Sequence, residues 1–128
     1  MLSTAPVIAT IPFRGLKSAQ TFYSKKLGLK RESGSVKEGY LIYKAGKGSS
    51  LLLFESTSAK KSDNTAATFE VSNLAREMTT LRKKGLEFEE YDLPEVGIKT
   101  VDGVAEGMGR MAWLKDPDGN ILALHESE

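Results

Sequence analysis

The sequence predicts an α+β fold made of two tandem βαβββ modules. Three observations carry this reading. First, the chain repeats itself: laying Tyr40–Glu55 over Met111–Glu126 without a gap puts Lys44 on Lys115, Gly48 on Gly119, Leu51 on Leu122, Leu53 on Leu124 and Glu55 on Glu126. Second, each half has a helix-period segment closed by Gly-Leu. Leu16, Ala19, Phe22, Tyr23 and Leu27 precede Gly28-Leu29, and Leu74, Met78 and Leu81 precede Gly85-Leu86. Third, Lys115-Asp116-Pro117-Asp118-Gly119-Asn120 is turn chemistry between two apolar runs, which makes a hairpin of Met111–Leu114 and Ile121–His125.

The elements follow in order. Val7–Phe13 is expected as a strand, and Gly15–Lys26 as an amphipathic helix stopped by Gly28. Leu29–Ser33, Tyr40–Lys44 and Leu51–Glu55 are the next three strands, with turns marked by Gly34, Gly39, Gly46 and Gly48. Module one spans residues 6–55. The polar run 56–65, with Lys60-Lys61-Ser62-Asp63-Asn64, is the expected linker, and module two spans 66–126. There Ala66–Val71 reads as a strand, Ser72 or Asn73 caps a helix over Leu74–Lys84, and Leu86–Leu93 reads as a strand ended by Pro94. Gly97–Gly109 has no counterpart in the first half and is expected as a loop.

Composition excludes several classes. With 18 basic and 17 acidic residues the net charge is +1, so no basic face for nucleic acid is implied; Lys25-Lys26 and Lys83-Lys84 sit where helix ends favour cations. The chain has no Cys, which removes disulfides and thiolate chemistry and is compatible with a cytoplasmic location. The opening Met1-Leu-Ser-Thr-Ala-Pro lacks a basic and an apolar region, so no signal peptide is expected, and no apolar run is long enough to span a membrane.

The segment Gly15–Tyr23 with Leu27-Gly28-Leu29, followed by Lys115-Asp116-Pro117-Asp118-Gly119-Asn120 in this order, resembles the vicinal oxygen chelate superfamily (glyoxalases, bleomycin-resistance proteins and extradiol dioxygenases). The resemblance covers nearly the whole chain. It implies that the two modules form a curled, barrel-like mixed sheet around a cup, with helices outside. It also implies a test. Metal-dependent members hold a divalent cation with His, Glu or Gln from four strand positions, two per module. Those positions fall here on Ile8, Leu52, Ala66 and Ala123, and none can ligate a metal. Neighbouring residues do not rescue the site: Val7 and Ala9, Leu51 and Leu53, Thr65 and Ala67, Leu122 and Leu124. No metal and no cofactor are therefore expected.

Strand alternation predicts what lines the cup instead. Module one offers Ile8 and Thr10, Tyr40 and Ile42, Leu52 and Phe54. Module two offers Ala66 and Thr68, Met111 and Trp113, Ala123 and His125. This is an apolar lining with aromatic walls, suited to a small organic ligand, though the same residues would equally fill a packed core. His125 is the only histidine. It is either a half-buried ring bonded to backbone or water, or a ligand-contacting donor or general base helped by Glu70. A metal on His125 with Glu70 or Glu106 would have fewer donors than most sites use. Lys99, Asp102, Glu106 and Arg110, in the glycine-rich stretch 97–110, are expected to form a lid, the alternative being a solvated hairpin that needs glycine for its turns.

Three functions remain open. The leading one is metal-independent binding of a small, largely apolar or aromatic molecule, like the bleomycin-resistance branch, by a homodimer. The second is an enzyme of the lyase, isomerase or dioxygenase kind with an atypical site using His125. The third is an interaction module with a filled core.

Overall fold

The computed structural model describes residues 1–59 and 62–128; Lys60 and Lys61 of the expected linker lie outside the described residues. Two compact units, Met1–Lys61 and Ser62–Glu128, divide the chain. Each is α+β, with one mixed sheet.

In the first unit the strands β1 (Ala9–Phe13), β2 (Lys30–Ser35), β3 (Tyr40–Lys44) and β4 (Ser50–Glu55) stand in the order β1-β4-β3-β2. β1 runs parallel to β4 and the other pairings are antiparallel. Odd-numbered side chains form the core: Ile11 and Phe13, Leu41 and Tyr43, Leu51 and Leu53 are buried with Leu16, Ala19, Phe22 and Tyr23 of the helical segment. Tyr23 meets the edge of Phe13 at 6.0 Å between centroids and stacks on Tyr43 at 6.1 Å. The expected single helix is in fact α1 (Leu16–Thr21) running on into a π-helical turn, Phe22–Lys26. That wider turn is closed by Leu27 N–H donating to the Phe22 carbonyl at 2.9 Å, and adjacent Phe22 and Tyr23 are both buried. Gly28 then takes φ 74° and ends it.

The second unit comprises β5 (Thr65–Glu70), α2 (Leu74–Lys83), β6 (Asp92–Leu93), β7 (Ile98–Val101), β8 (Val104–Gly107), β9 (Gly109–Lys115) and β10 (Ile121–Glu126), in the sheet order β5-β10-β9-β8-β7-β6. Leu74, Met78 and Leu81 of α2 are buried, as are Ala112, Leu114, Leu122 and Leu124 of the sheet. The Asn73 side chain caps α2 by accepting from Arg76 N–H at 3.0 Å, and Glu126 Oε2 accepts from Leu74 N–H at 2.9 Å.

The pairing registers reproduce the internal repeat. Tyr40 faces Phe54 and Ile42 faces Leu52; Met111 faces His125 and Trp113 faces Ala123. The turn repeats too. Ala45 N–H donates to the Ser49 carbonyl, and Asp116 N–H donates to the Asn120 carbonyl.

Two expectations need correction. Leu86–Leu93 is not a strand apart from Asp92–Leu93, because β8 takes the place beside the first half of β9: Ala105 faces Met111 and Gly107 faces Gly109. The 86–91 segment is held instead by isolated bonds, Glu89 N–H to the Trp113 carbonyl and Tyr91 N–H to Thr100 Oγ1, both 2.8 Å. Nor is 97–109 a loop. Asp102 (φ 52°) and Gly103 (φ 82°) form a two-residue turn that makes β7 and β8 a hairpin of the same sheet.

Candidate functional site

Each unit presents one sheet face that its helix does not cover, and the register decides who stands there. In the first unit Thr10, Leu52 and Ile42 form one row, and Phe54 with Tyr40 lies in the next. Ile8 precedes β1. In the second unit Thr68, Ala123 and Trp113 form one row, and Glu70, His125 and Met111 the next. Ala66 lies at the register shift of β5. So each ladder brings its expected lining residues onto a common face.

The two faces differ in burial. Ile8 is 49% and Phe54 36% exposed, Thr10 is exposed, and Tyr40, Ile42 and Leu52 are half-buried. By contrast Trp113 is 7% exposed and Ala123 fully buried. The cause lies within the second unit. Tyr91, just before β6, and Ile98, the first residue of β7, pack with Met111 over Ala105, Trp113, Ile121 and Ala123. The Tyr91 and Trp113 rings meet edge to face at 5.4 Å. Ala123 is small where its cross-strand partner Trp113 is large.

Beside this cluster opens a cavity of about 440 Å³. Trp113, Tyr91, Ile98, Leu93 and Ile121 make its apolar wall, and Asp63, Asn64, Thr65 and Lys115 its polar margin. A smaller hollow of about 240 Å³ shares Ile98 and Trp113 and is lined also by Met108 and Met111. Tyr91, Ile98 and Asp63 were not among the residues the sequence singled out; Tyr91 lies in the irregular stretch, Asp63 in the expected linker, and Ile98 at the start of β7, within the segment expected as a lid. Burial first, then the charges of Glu89 and Asp63, push the Tyr91 phenol above its ordinary range, so it stays protonated near neutrality.

His125 and Glu70 are brought together. His125 Nδ1 bonds a Glu70 carboxylate oxygen, Nε2 bonds the Met108 carbonyl at 2.7 Å, and Ser127 Oγ donates to the other Glu70 oxygen at 2.8 Å. A carboxylate and a carbonyl only accept, so this arrangement favours a proton on both ring nitrogens. The Met108 carbonyl, and after it Glu70, raise the His125 pKa; His125 and then Ser127 lower that of Glu70. Held this way, the ring offers no lone pair to a substrate proton or a metal.

The four residues expected to form a lid, Lys99, Asp102, Glu106 and Arg110, border a third, open hollow of about 630 Å³ along the β7–β8 hairpin. They are tied down. Lys99 pairs with Asp92 at 3.4 Å, Arg110 with Glu126 at 3.4 Å and Glu106 at 3.9 Å, and Arg82 donates to the Asp102 carbonyl at 3.0 Å. Glu90 Oε1 accepts from Thr100 Oγ1 at 2.5 Å and Gly103 N–H at 3.0 Å, bracing the same hairpin.

The four positions that the sequence resemblance assigns to metal ligands, Ile8, Leu52, Ala66 and Ala123, supply no donor side chain. Among the described residues no group of three His, Asp or Glu could hold a metal ion. No described helix is long and apolar enough to cross a membrane.

No family model matches the sequence, and no curated protein matches it either. Solved structures do. An antibiotic binding protein from Streptomyces sp. CB03234 is 17% identical, covers 98% of each chain and has a TM-score of 0.68. The fosfomycin resistance protein from Listeria monocytogenes is 15% identical, with 98% of this chain and 92% of that one covered, at a TM-score of 0.70. A lactoylglutathione lyase from Agrobacterium tumefaciens is 18% identical over 96% and 93% of the two chains, at 0.68. At such identities the likeness is one of fold, and it extends along essentially the full length of each chain.

Proposed function

We propose that this chain, whose fold is that of the vicinal oxygen chelate superfamily, binds a small, largely apolar or aromatic molecule without a metal, in the manner of sequestration. The observation that carries the reading is the cavity walled by Trp113 and Tyr91, whose volume of about 440 Å³ suits a ligand of two or three fused rings. The apolar residues at the four ligand positions support the metal-free part. The antibiotic binding protein among the structural neighbours makes natural antibiotics a sensible first panel. On the same reading the protein acts as a homodimer in the cytoplasm.

Thermal melting against small aromatic compounds and antibiotics, with and without EDTA, tests this. A ligand that raises the midpoint equally in both conditions is expected. A panel without any stabilising compound, or stabilisation that vanishes on chelation, would overturn it.

The Glu70–His125 pair favours one alternative, an enzyme using His125 as acid–base. That reading requires Nε2 to leave the Met108 carbonyl. His125→Gln without effect on any detected turnover would remove it.

A further inference from the structure

We propose that the Trp113 cavity selects ligands bearing an ammonium group on an aromatic or apolar body, with Asp63 as the counter-charge. This rests on the binding reading above and narrows it to a chemical class. Two ionic side chains border the cavity, Asp63 and Lys115, and Glu89 stands directly behind the second. Lys115 Nζ lies 3.4 Å from Glu89 Oε1, in a pair whose carboxylate is only 28% exposed. Asp63 carries no ion pair among the described residues. Among the described residues, the margin of the cavity therefore has one cation already paired and one carboxylate without an ion pair.

The consequence for ligands is asymmetric. An anionic ligand reaching Lys115 must draw it from Glu89, leaving a half-buried carboxylate uncompensated beside a second negative charge. An ammonium group meets Asp63 and displaces nothing. Burial is the main cause of the upward displacement of the Tyr91 phenol, and Glu89 and Asp63 add to it with the sign of a negative field. A neutral aromatic ligand is indifferent to these charges and gains only burial, so it sets the reference.

The test uses the full chain and three probes on one skeleton: 4-phenylbenzylammonium, 4-phenylbenzyl alcohol and biphenyl-4-carboxylate, titrated by calorimetry at low salt. The ammonium should bind about fivefold more tightly than the alcohol, the scale of one partly exposed ion pair, and the carboxylate more weakly than either. Raising the salt should compress the series. Asp63→Asn should remove the preference of ammonium over alcohol, read as the ratio of the two affinities measured in that same variant. Binding of the carboxylate as tightly as the ammonium overturns the proposal, as does an unchanged order in Asp63→Asn. If the alcohol binds but charge makes no difference, only this inference falls; if none of the three binds, the binding reading falls with it.

Discussion

The two units use the same ladder for different ends. Tyr40, Ile42, Leu52 and Phe54 occupy the places that Met111, Trp113, Ala123 and His125 occupy in the second unit, with the same partners across the strands. In the first unit bulk is spread evenly and the face stays partly exposed. In the second it is concentrated in Trp113 opposite Ala123, and the chain then covers the indole with its own Tyr91 and Ile98. The turns diverge in the same way. Asp116 Oδ1 accepts from Asp118 N–H at 3.0 Å and Asn120 N–H at 2.9 Å, and Oδ2 from Asn120 Nδ2 at 2.9 Å. Its counterpart is Ala45, which has no side chain to offer, and Lys47 there sits at φ 54°. A repeat thus conserves register, whereas packing and local hydrogen bonding are set residue by residue.

Substitutions that exchange the two units' solutions can break or sharpen this contrast. The largest effect should come from Trp113→Ala, about 3–5 kcal/mol of stability by urea denaturation, since it empties the covered cluster. Ile42→Ala at the matching half-exposed place should cost about 1–2 kcal/mol. Equal losses would mean that the two faces are equally packed. Asp116→Ala, which gives the second turn the residue of the first, removes three hydrogen bonds and should cost about 2–3 kcal/mol. Conversely, Lys47→Gly should stabilise by about 0.5–1 kcal/mol because the left-handed backbone there suits glycine. A destabilised Lys47→Gly would show that the side chain, not the backbone, matters at that turn.

His125→Phe copies the residue of the first unit and should alter pH dependence more than stability itself. The folded-state pKa of His125 is raised, so its contribution is fully present below the unfolded value and is lost as pH rises through the folded one. Glu70, lowered, contributes above its unfolded value and loses that contribution as pH falls. Urea midpoints of the parent protein should therefore decline from mildly acidic to alkaline pH, and this slope should flatten in His125→Phe. A slope that survives the substitution would assign it to other groups. The smallest effect is expected from metal: Zn²⁺, Mn²⁺ or EDTA should leave the melting midpoint where it was.

Much of this architecture was legible in the residues, for identifiable reasons. The constant spacing between Tyr40–Glu55 and Met111–Glu126 fixed which residues share a row, since one slip would turn every side chain over. Leu74, Met78 and Leu81 marked the buried face of α2. The second hairpin is the alternative to a lid: Val101-Asp102-Gly103-Val104 carries its signal, an Asp-Gly pair between β-branched residues, but the glycines around it make a loop the leading reading. The irregular path of 86–91 was not legible, since it depends on the Thr100 hydroxyl and on the Trp113 carbonyl distant in sequence. For the site, alternation puts His125 on the face of Ala123, with Glu70 as a possible helper, whereas their shared ladder row comes from the β5–β10 register. Alternation could not foresee Met108, whose carbonyl is delivered by the tight Gly107-Met108-Gly109 turn. Gly109 at φ 85° has no room for a side chain, a Cβ there lying 2.2 Å from the Glu126 carbonyl oxygen.

Trp113 is the only tryptophan, and of the four tyrosines Tyr23, Tyr40 and Tyr43 belong to the first unit. Its place in the covered cluster makes it an optical label for one half of the protein. Indole emission during denaturation follows the second unit alone, while far-ultraviolet dichroism sums both. Coincident curves would mean that the repeats melt as one cooperative body; an emission change at its own midpoint would resolve two independently folding halves in an unmodified chain.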